Sequence, residues 1–222
     1  MPSEPERPTP ASAGSRPFLV GITGPIGSGK SLLCRILAEK FGSRVIDADR
    51  LGREAIDPGG AARDAVVARF GDAVLGPGGE IDRSRLAALV FGDAVALAAL
   101  ESVSHPVILA EVERRVAALK ALGYAGIILL DAAVLPAWLD RLRLDAWVLV
   151  RATKDVRLRR LEARGLGREE AERRIAAQER LFSGELGADR IIDNEGTRES
   201  LERAAEALWR ELAARLGAPE RS

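Results

Sequence analysis

The chain has 222 residues, with 33 Lys+Arg against 33 Asp+Glu, 47% hydrophobic and only 4% aromatic residues. That balance excludes a strongly basic nucleic-acid binder and a chain drawn to an acidic membrane by its charge. A single cysteine, Cys34, excludes an intrachain disulfide framework and suits a reducing, cytoplasmic compartment.

The stretch to about residue 17 is rich in Pro, Ser and Ala and lacks a hydrophobic signal core, so it is expected to be a disordered tail, with a second short tail over 218–222. No run approaches the ~18 apolar residues of a membrane span, and no membrane partner is expected. The domain then occupies 18–217. Phe18 to Thr23 is an apolar run suited to a buried strand, and Leu32, Leu33, Ile36 and Leu37 repeat at helical spacing up to Phe41-Gly42. Between them, Gly24-Pro25-Ile26-Gly27-Ser28-Gly29-Lys30-Ser31 fits G-x-x-x-x-G-K-[ST]. Strand, glycine loop and helix N-terminus together aim backbone N–H groups at one place, a geometry that binds phosphate. Nucleotide binding is therefore assigned to Gly24, Ile26, Gly27, Ser28, Gly29, Lys30, Ser31 and Leu32. Lys30 would reach the β- and γ-phosphates of the nucleotide, and the Ser31 hydroxyl would ligate Mg²⁺.

Arg44 to Asp47 reads as a second strand running into Asp47-Ala48-Asp49-Arg50. On an extended segment the carboxylates of Asp47 and Asp49, two apart, face one side. At the carboxyl end of a parallel strand they would meet a ligand; the alternative is an acidic turn capping the next helix. From 58 to 123 the turn signals Gly59-Gly60 and Gly76 to Gly79 separate helical patterns over 61–70, 82–91, 93–103 and 107–122. Asp82 and Asp93 are candidate N-caps, and Pro106 fits a first helical position. No sheet strand is evident there, so a helical insertion that could wall a substrate site is expected.

The sheet resumes over 126–131, ending in Asp131, a pattern that suits either a metal-water ligand or an ordinary buried strand end. Another strand covers 146–150. Two arginine-dense helices, 155–164 and 168–181, follow and break at Gly165-Leu166-Gly167. Arg160 and Arg164 share a face, and a hairpin over 157–182 carrying such arginines suits a phosphoryl-transfer lid. Interleaved glutamates leave a solvated face as the alternative for any one arginine. A last strand at 190–193 and a helix over 198–216 complete a three-layer α/β domain with a parallel five-stranded sheet.

These residues resemble the dephospho-coenzyme A kinase family, P-loop kinases similar to nucleoside-monophosphate kinases. The resemblance rests on Gly24 to Ser31, Val45 to Asp49 followed by Arg53, Phe70-Gly71, Asp82-Arg83 with Leu86, Val90-Phe91 and His105-Pro106. It continues through Arg160 with Arg164, Arg174-Ile175 with Gln178, Ala188-Asp189 and Ile192-Asp193-Asn194. It implies ATP-dependent phosphorylation of the ribose 3′-hydroxyl of dephospho-coenzyme A; the sequence does not reveal the oligomeric state, and a monomer is the expectation. It further implies Asp49, Lys30 and Arg160 as catalytic residues, Arg164 at the nucleotide, and Asp47, Arg53 and His105 at the acceptor. Two positions depart from the family pattern: Ala137 stands where it has glutamate, and Gly184 where it has lysine. Other small-molecule acceptors, or a non-catalytic ATP-binding paralogue, are the competing readings.

Overall fold

In the computed structural model, five strands form one sheet: β1 (Phe18–Thr23), β2 (Arg44–Asp47), β3 (Ile127–Asp131), β4 (Ala146–Arg151) and β5 (Arg190–Asp193). Their order is β2-β3-β1-β4-β5, which places the strand before the glycine loop at the centre. The structure describes residues 16–90, 93–183 and 186–217; the expected tails at 1–15 and 218–222 lie outside them. Of the N-terminal stretch, Arg16 is described, and its guanidinium pairs with Asp145 at 2.6 Å.

β1 pairs in parallel with β3, Phe18 opposite Ile127 and Ile22 opposite Asp131, and with β4, Val20 opposite Ala146. β4 carries β5, also parallel. Continuous apolar strands are what a sheet covered on both faces requires. One face receives α1 (Lys30–Phe41) and α8 (Arg198–Leu216), through Leu33, Ile36 and Leu37 against Leu201, Ala205, Leu208 and Leu212. Phe41 stacks on Trp209 with ring centroids 5.0 Å apart. Cys34 is 1% exposed in this cluster, as a small hydrophobe. On β1 a side chain at Gly21 would collide with Leu135, so the chain after β3 packs directly on the strand backbone.

By internal contacts the chain divides into two units, residues 47–115 and the remainder. The smaller holds α2 (Ala48–Ile56), α3 (Arg63–Phe70), α4 (Arg83–Val90) and most of α5 (Ala94–Ala121). Its core gathers Val66, Val74, Ile81, Leu86 and Val90. The expected caps are present: Asp82 accepts from Ser84 and Arg85 N–H, and Asp93 from Val95 and Ala96 N–H.

The structure corrects three expectations. The patterns over 93–103 and 107–122 are one helix, α5, with Pro106 inside it. Proline costs an interior helix about 3 kcal/mol, but buried Ile108, Leu109 and Val112 anchor the segment after it and Leu100 and Val103 the segment before. Second, α5 is long and apolar enough to cross a membrane by length and composition, with mean hydropathy 1.5 over its best window. Ser102, Ser104 and His105 interrupt the run without making it polar, which a search for an unbroken apolar stretch overlooks. Third, the chain is extended only to Asp47, so Asp47 and Asp49 do not share a strand face: α2 begins at Ala48.

An ion-pair network runs along this unit: Arg50–Glu54 at 2.6 Å, Glu54–Arg115 at 2.9 Å, Arg115–Glu111 at 2.7 Å and Glu111–Arg114 at 2.6 Å. Hydrogen bonds from Arg114 and then Arg115 hold the Glu111 carboxyl at about 2, below its usual 4.5. A lowered carboxylate pKa contributes stability above the unfolded value and loses it as pH falls. The melting-temperature advantage of wild type over Glu111→Gln should therefore shrink as pH drops from 4.5 toward 2. A pH-independent difference would show that the pair contributes nothing to folding.

Candidate active site

The loop between β1 and α1 takes its shape from glycine. Gly29 has φ +100°, and a Cβ there would lie 2.3 Å from Asn194 Nδ2; Gly24 has φ +155° and would bring a Cβ to 2.3 Å from the Val150 carbonyl oxygen. Neither position accommodates a side chain. Three consecutive carbonyls of the loop are then held from outside. Arg157 Nε donates to Ile26 O at 2.9 Å. Arg160 Nη1 donates to Gly27 O and Ser28 O, each at 3.3 Å, and Asn194 Nδ2 donates to Ser28 O at 2.7 Å. Arg160 Nη2 closes the set on Asn194 Oδ1 and Gly196 O at 3.4 Å. At the α1 end, the N–H groups of the first turn have no intrahelical partner by helix geometry, and they carry the positive end of the helix dipole. Ser31 and Leu32 belong to that turn. The result is a concave amide surface suited to an anion.

Lys30 Nζ lies 2.7 Å from Asp131 Oδ1, with side chains 11% and 5% exposed. The register that sets Asp131 opposite Ile22 delivers the carboxylate to the base of the loop. The Lys30 ammonium is thus paired with a buried carboxylate. Removing one partner of a buried pair costs about 3 kcal/mol or more. Asp131→Ala should destabilise the chain by that order in urea unfolding; an unchanged midpoint would mean the pair is energetically idle.

Asp47 is the N-cap of α2, its Oδ1 accepting Arg50 N–H at 2.8 Å. Asp49 is exposed in the first turn of α2, and Arg53, four residues on, shares its helical face. His105 is half-buried in the middle of α5, not ahead of a helix start. An apolar pocket of about 460 Å³, lined by Leu51, Ala55, Ala61, Val107 and Ile108, opens on the side of α2 turned away from Asp49.

The arginine-dense segment forms α6 (Lys154–Glu162) and α7 (Arg168–Gln178), with the turn at Gly165 in a left-handed conformation. Arg160 is spent on loop carbonyls, while Arg164 stands exposed in the turn after α6. Several other arginines pair along their own helices, Arg173 and Arg174 with Glu170. Sequence reasoning did not single out Asn194 or Arg157 as loop supports. The signal for Asn194 was its place, directly after a parallel strand's carboxyl end. Ala137 lies exposed in a 3₁₀ turn over Leu135–Trp138, so no carboxylate is offered there; Gly184 lies outside the described residues.

A central parallel strand, a glycine loop ending in Lys-Ser and a helix N-terminus define a protein of the P-loop nucleotide-binding class. The sequence model of the dephospho-CoA kinase family matches residues 18–200, and the chain belongs to that family of phosphotransferases. Among curated relatives, the dephospho-CoA kinase of Geobacter sulfurreducens is 41% identical over 192 residues, covering 86% of this chain and 96% of that one. That of Leifsonia xyli subsp. xyli is 40% identical over the same shares. Among solved structures, TT1252 from Thermus thermophilus superposes with a TM-score of 0.73 at 36% identity, over 89% of this chain and 99% of that one. Dephospho-CoA kinase from Campylobacter jejuni, at 22% identity and TM-score 0.55 over 87% and 96%, shares the fold.

Proposed function

We propose that the chain transfers the γ-phosphoryl group of ATP to the ribose 3′-hydroxyl of dephospho-coenzyme A, giving coenzyme A and ADP. The observation that carries the chemistry is the Lys30 ammonium at the end of a loop whose carbonyls are turned outward. Phosphoryl transfer proceeds through a loose transition state, so positioning and charge stabilisation matter more than covalent chemistry. The N–H groups of the loop and first turn of α1 hold the β- and γ-phosphates. Lys30 moves its charge from Asp131 to the transferring oxygens.

Asp49 orients the acceptor hydroxyl and takes its proton late. Arg53, on the same face of α2, and His105 contact the acceptor, and Asp47 keeps α2 in place through its cap. Arg160 fixes the loop and adds positive charge beside it, with Arg164 at the nucleotide. Mg²⁺, when bound, neutralises charge on the β- and γ-oxygens. The donor set suits it. Among the described residues no cluster of three or more His, Cys, Asp or Glu could hold a metal, and Mg²⁺ takes most of its shell from water and phosphate. The Ser31 hydroxyl would be its protein ligand, with Asp131 acting through water. A single buried cysteine supports a reducing, cytoplasmic setting.

The test is ADP release measured with a panel of acceptors: dephospho-coenzyme A, nucleoside monophosphates, shikimate and gluconate. Turnover with dephospho-coenzyme A alone is expected. Turnover restricted to another acceptor, or none at all, would overturn the assignment.

A further inference from the structure

Beside the Arg160 bonds to Gly27 and Ser28, the α6–α7 hairpin grips the phosphate loop most fully at Ile26. Its side chain packs against the hairpin's own core of Leu158, Leu161, Ala171 and Ile175. Its carbonyl accepts from Arg157 Nε at 2.9 Å, and its N–H donates to Gln178 Oε1 at 2.7 Å. Arg157 lies on α6 and Gln178 is the last residue of α7, so one loop residue is held by both helices. Arg157 as a residue is only 8% exposed, so this bond is made inside the protein.

Fixing the N–H and the carbonyl of Ile26 sets the rotation of the two peptide units that flank it. The next turn, Ser28 N–H to Pro25 O at 3.0 Å, then closes in one orientation, and the remaining amides face inward. Without that restraint a loop holding three glycines would sample many conformations, each of which must be given up when phosphate binds. Order present beforehand raises affinity without adding a contact to the ligand.

We propose that Gln178 is a positioning residue of the nucleotide site: by accepting the Ile26 N–H, it pre-orders the phosphate loop and makes loop and hairpin one body. This rests on the reading that ATP binds residues 24–32. It requires nothing of the acceptor.

Gln178→Met keeps the size and removes the acceptor oxygen. For this variant, affinity for a non-hydrolysable ATP analogue should fall roughly ten-fold or more, as expected when a paired amide loses its acceptor. The KM for dephospho-coenzyme A should stay within about two-fold, the melting temperature should fall by no more than about 4 °C, and amide exchange at Ile26 should accelerate while that of Leu161 and Ile175 does not. Ile26→Ala should weaken the analogue in the same direction. Wild-type analogue affinity in Gln178→Met would overturn the proposal. So would an affinity loss accompanied by equal loosening of Leu161 and Ile175, since that marks a purely structural residue. If wild type failed to phosphorylate dephospho-coenzyme A while Gln178→Met still lost analogue affinity, the acceptor assignment would fall and Gln178's role would stand.

Discussion

Lys30→Ala is expected to abolish turnover. The γ-phosphate charge that builds in the transition state would be left without the Lys30 ammonium, a loss of several kcal/mol. A second effect follows from the ion pair at 2.7 Å: Asp131, 4% exposed, would lose the ammonium it faces. Thermal unfolding must therefore accompany the assay. Lys30→Met, which retains the aliphatic stem, separates lost charge from lost packing. A folded Lys30 variant that keeps more than about a tenth of the wild-type rate, roughly 1.4 kcal/mol, would contradict the role given to the loop.

Asp49→Asn should lower the rate by a factor on the order of 10² to 10⁴, the usual worth of a positioned general base. Binding of ATP should survive, since Asp49 belongs to α2 and the loop residues are untouched. Dephospho-coenzyme A should also bind, because asparagine keeps the shape and one acceptor oxygen. Asp47→Asn is the control. Asparagine caps a helix as well as aspartate does, so the Arg50 N–H keeps its acceptor and α2 stays folded. Only a modest change in rate is expected there. An active Asp49→Asn beside a dead Asp47→Asn would reverse the two roles. Two active variants would reduce the acidic pair to a helix-capping turn.

The strands and the loop were legible because each depends on local pattern. Phe18 to Thr23 and 146–150 are apolar runs bounded by turn residues, and Gly24 to Ser31 is a motif in which every residue type answers a steric or charge requirement. The caps at Asp82 and Asp93 followed from the same local rules. What failed was decided by packing. Pro106 looked like a helix start, yet the apolar residues on either side keep α5 continuous. Asp47 and Asp49 looked like a strand pair because nothing in their identity says whether the strand ends before or after Ala48. The outward hydrogen bonds of the loop were illegible for another reason. Arg157, Arg160, Gln178 and Asn194 lie between 131 and 166 residues from the Ile26 or Ser28 they bond, and no periodicity links such positions. One arginine among many in a charged hairpin carries no mark that it will face a carbonyl rather than solvent.

The chemistry assigned to the site is tested most directly by phosphorus NMR of the product formed from ATP and dephospho-coenzyme A. One new phosphomonoester signal is predicted, coupled to the ribose H3′ proton, appearing in step with ADP and absent when Lys30→Met replaces the wild-type chain. A product phosphorylated at any other hydroxyl, or ADP formed with no new phosphomonoester, would contradict the account.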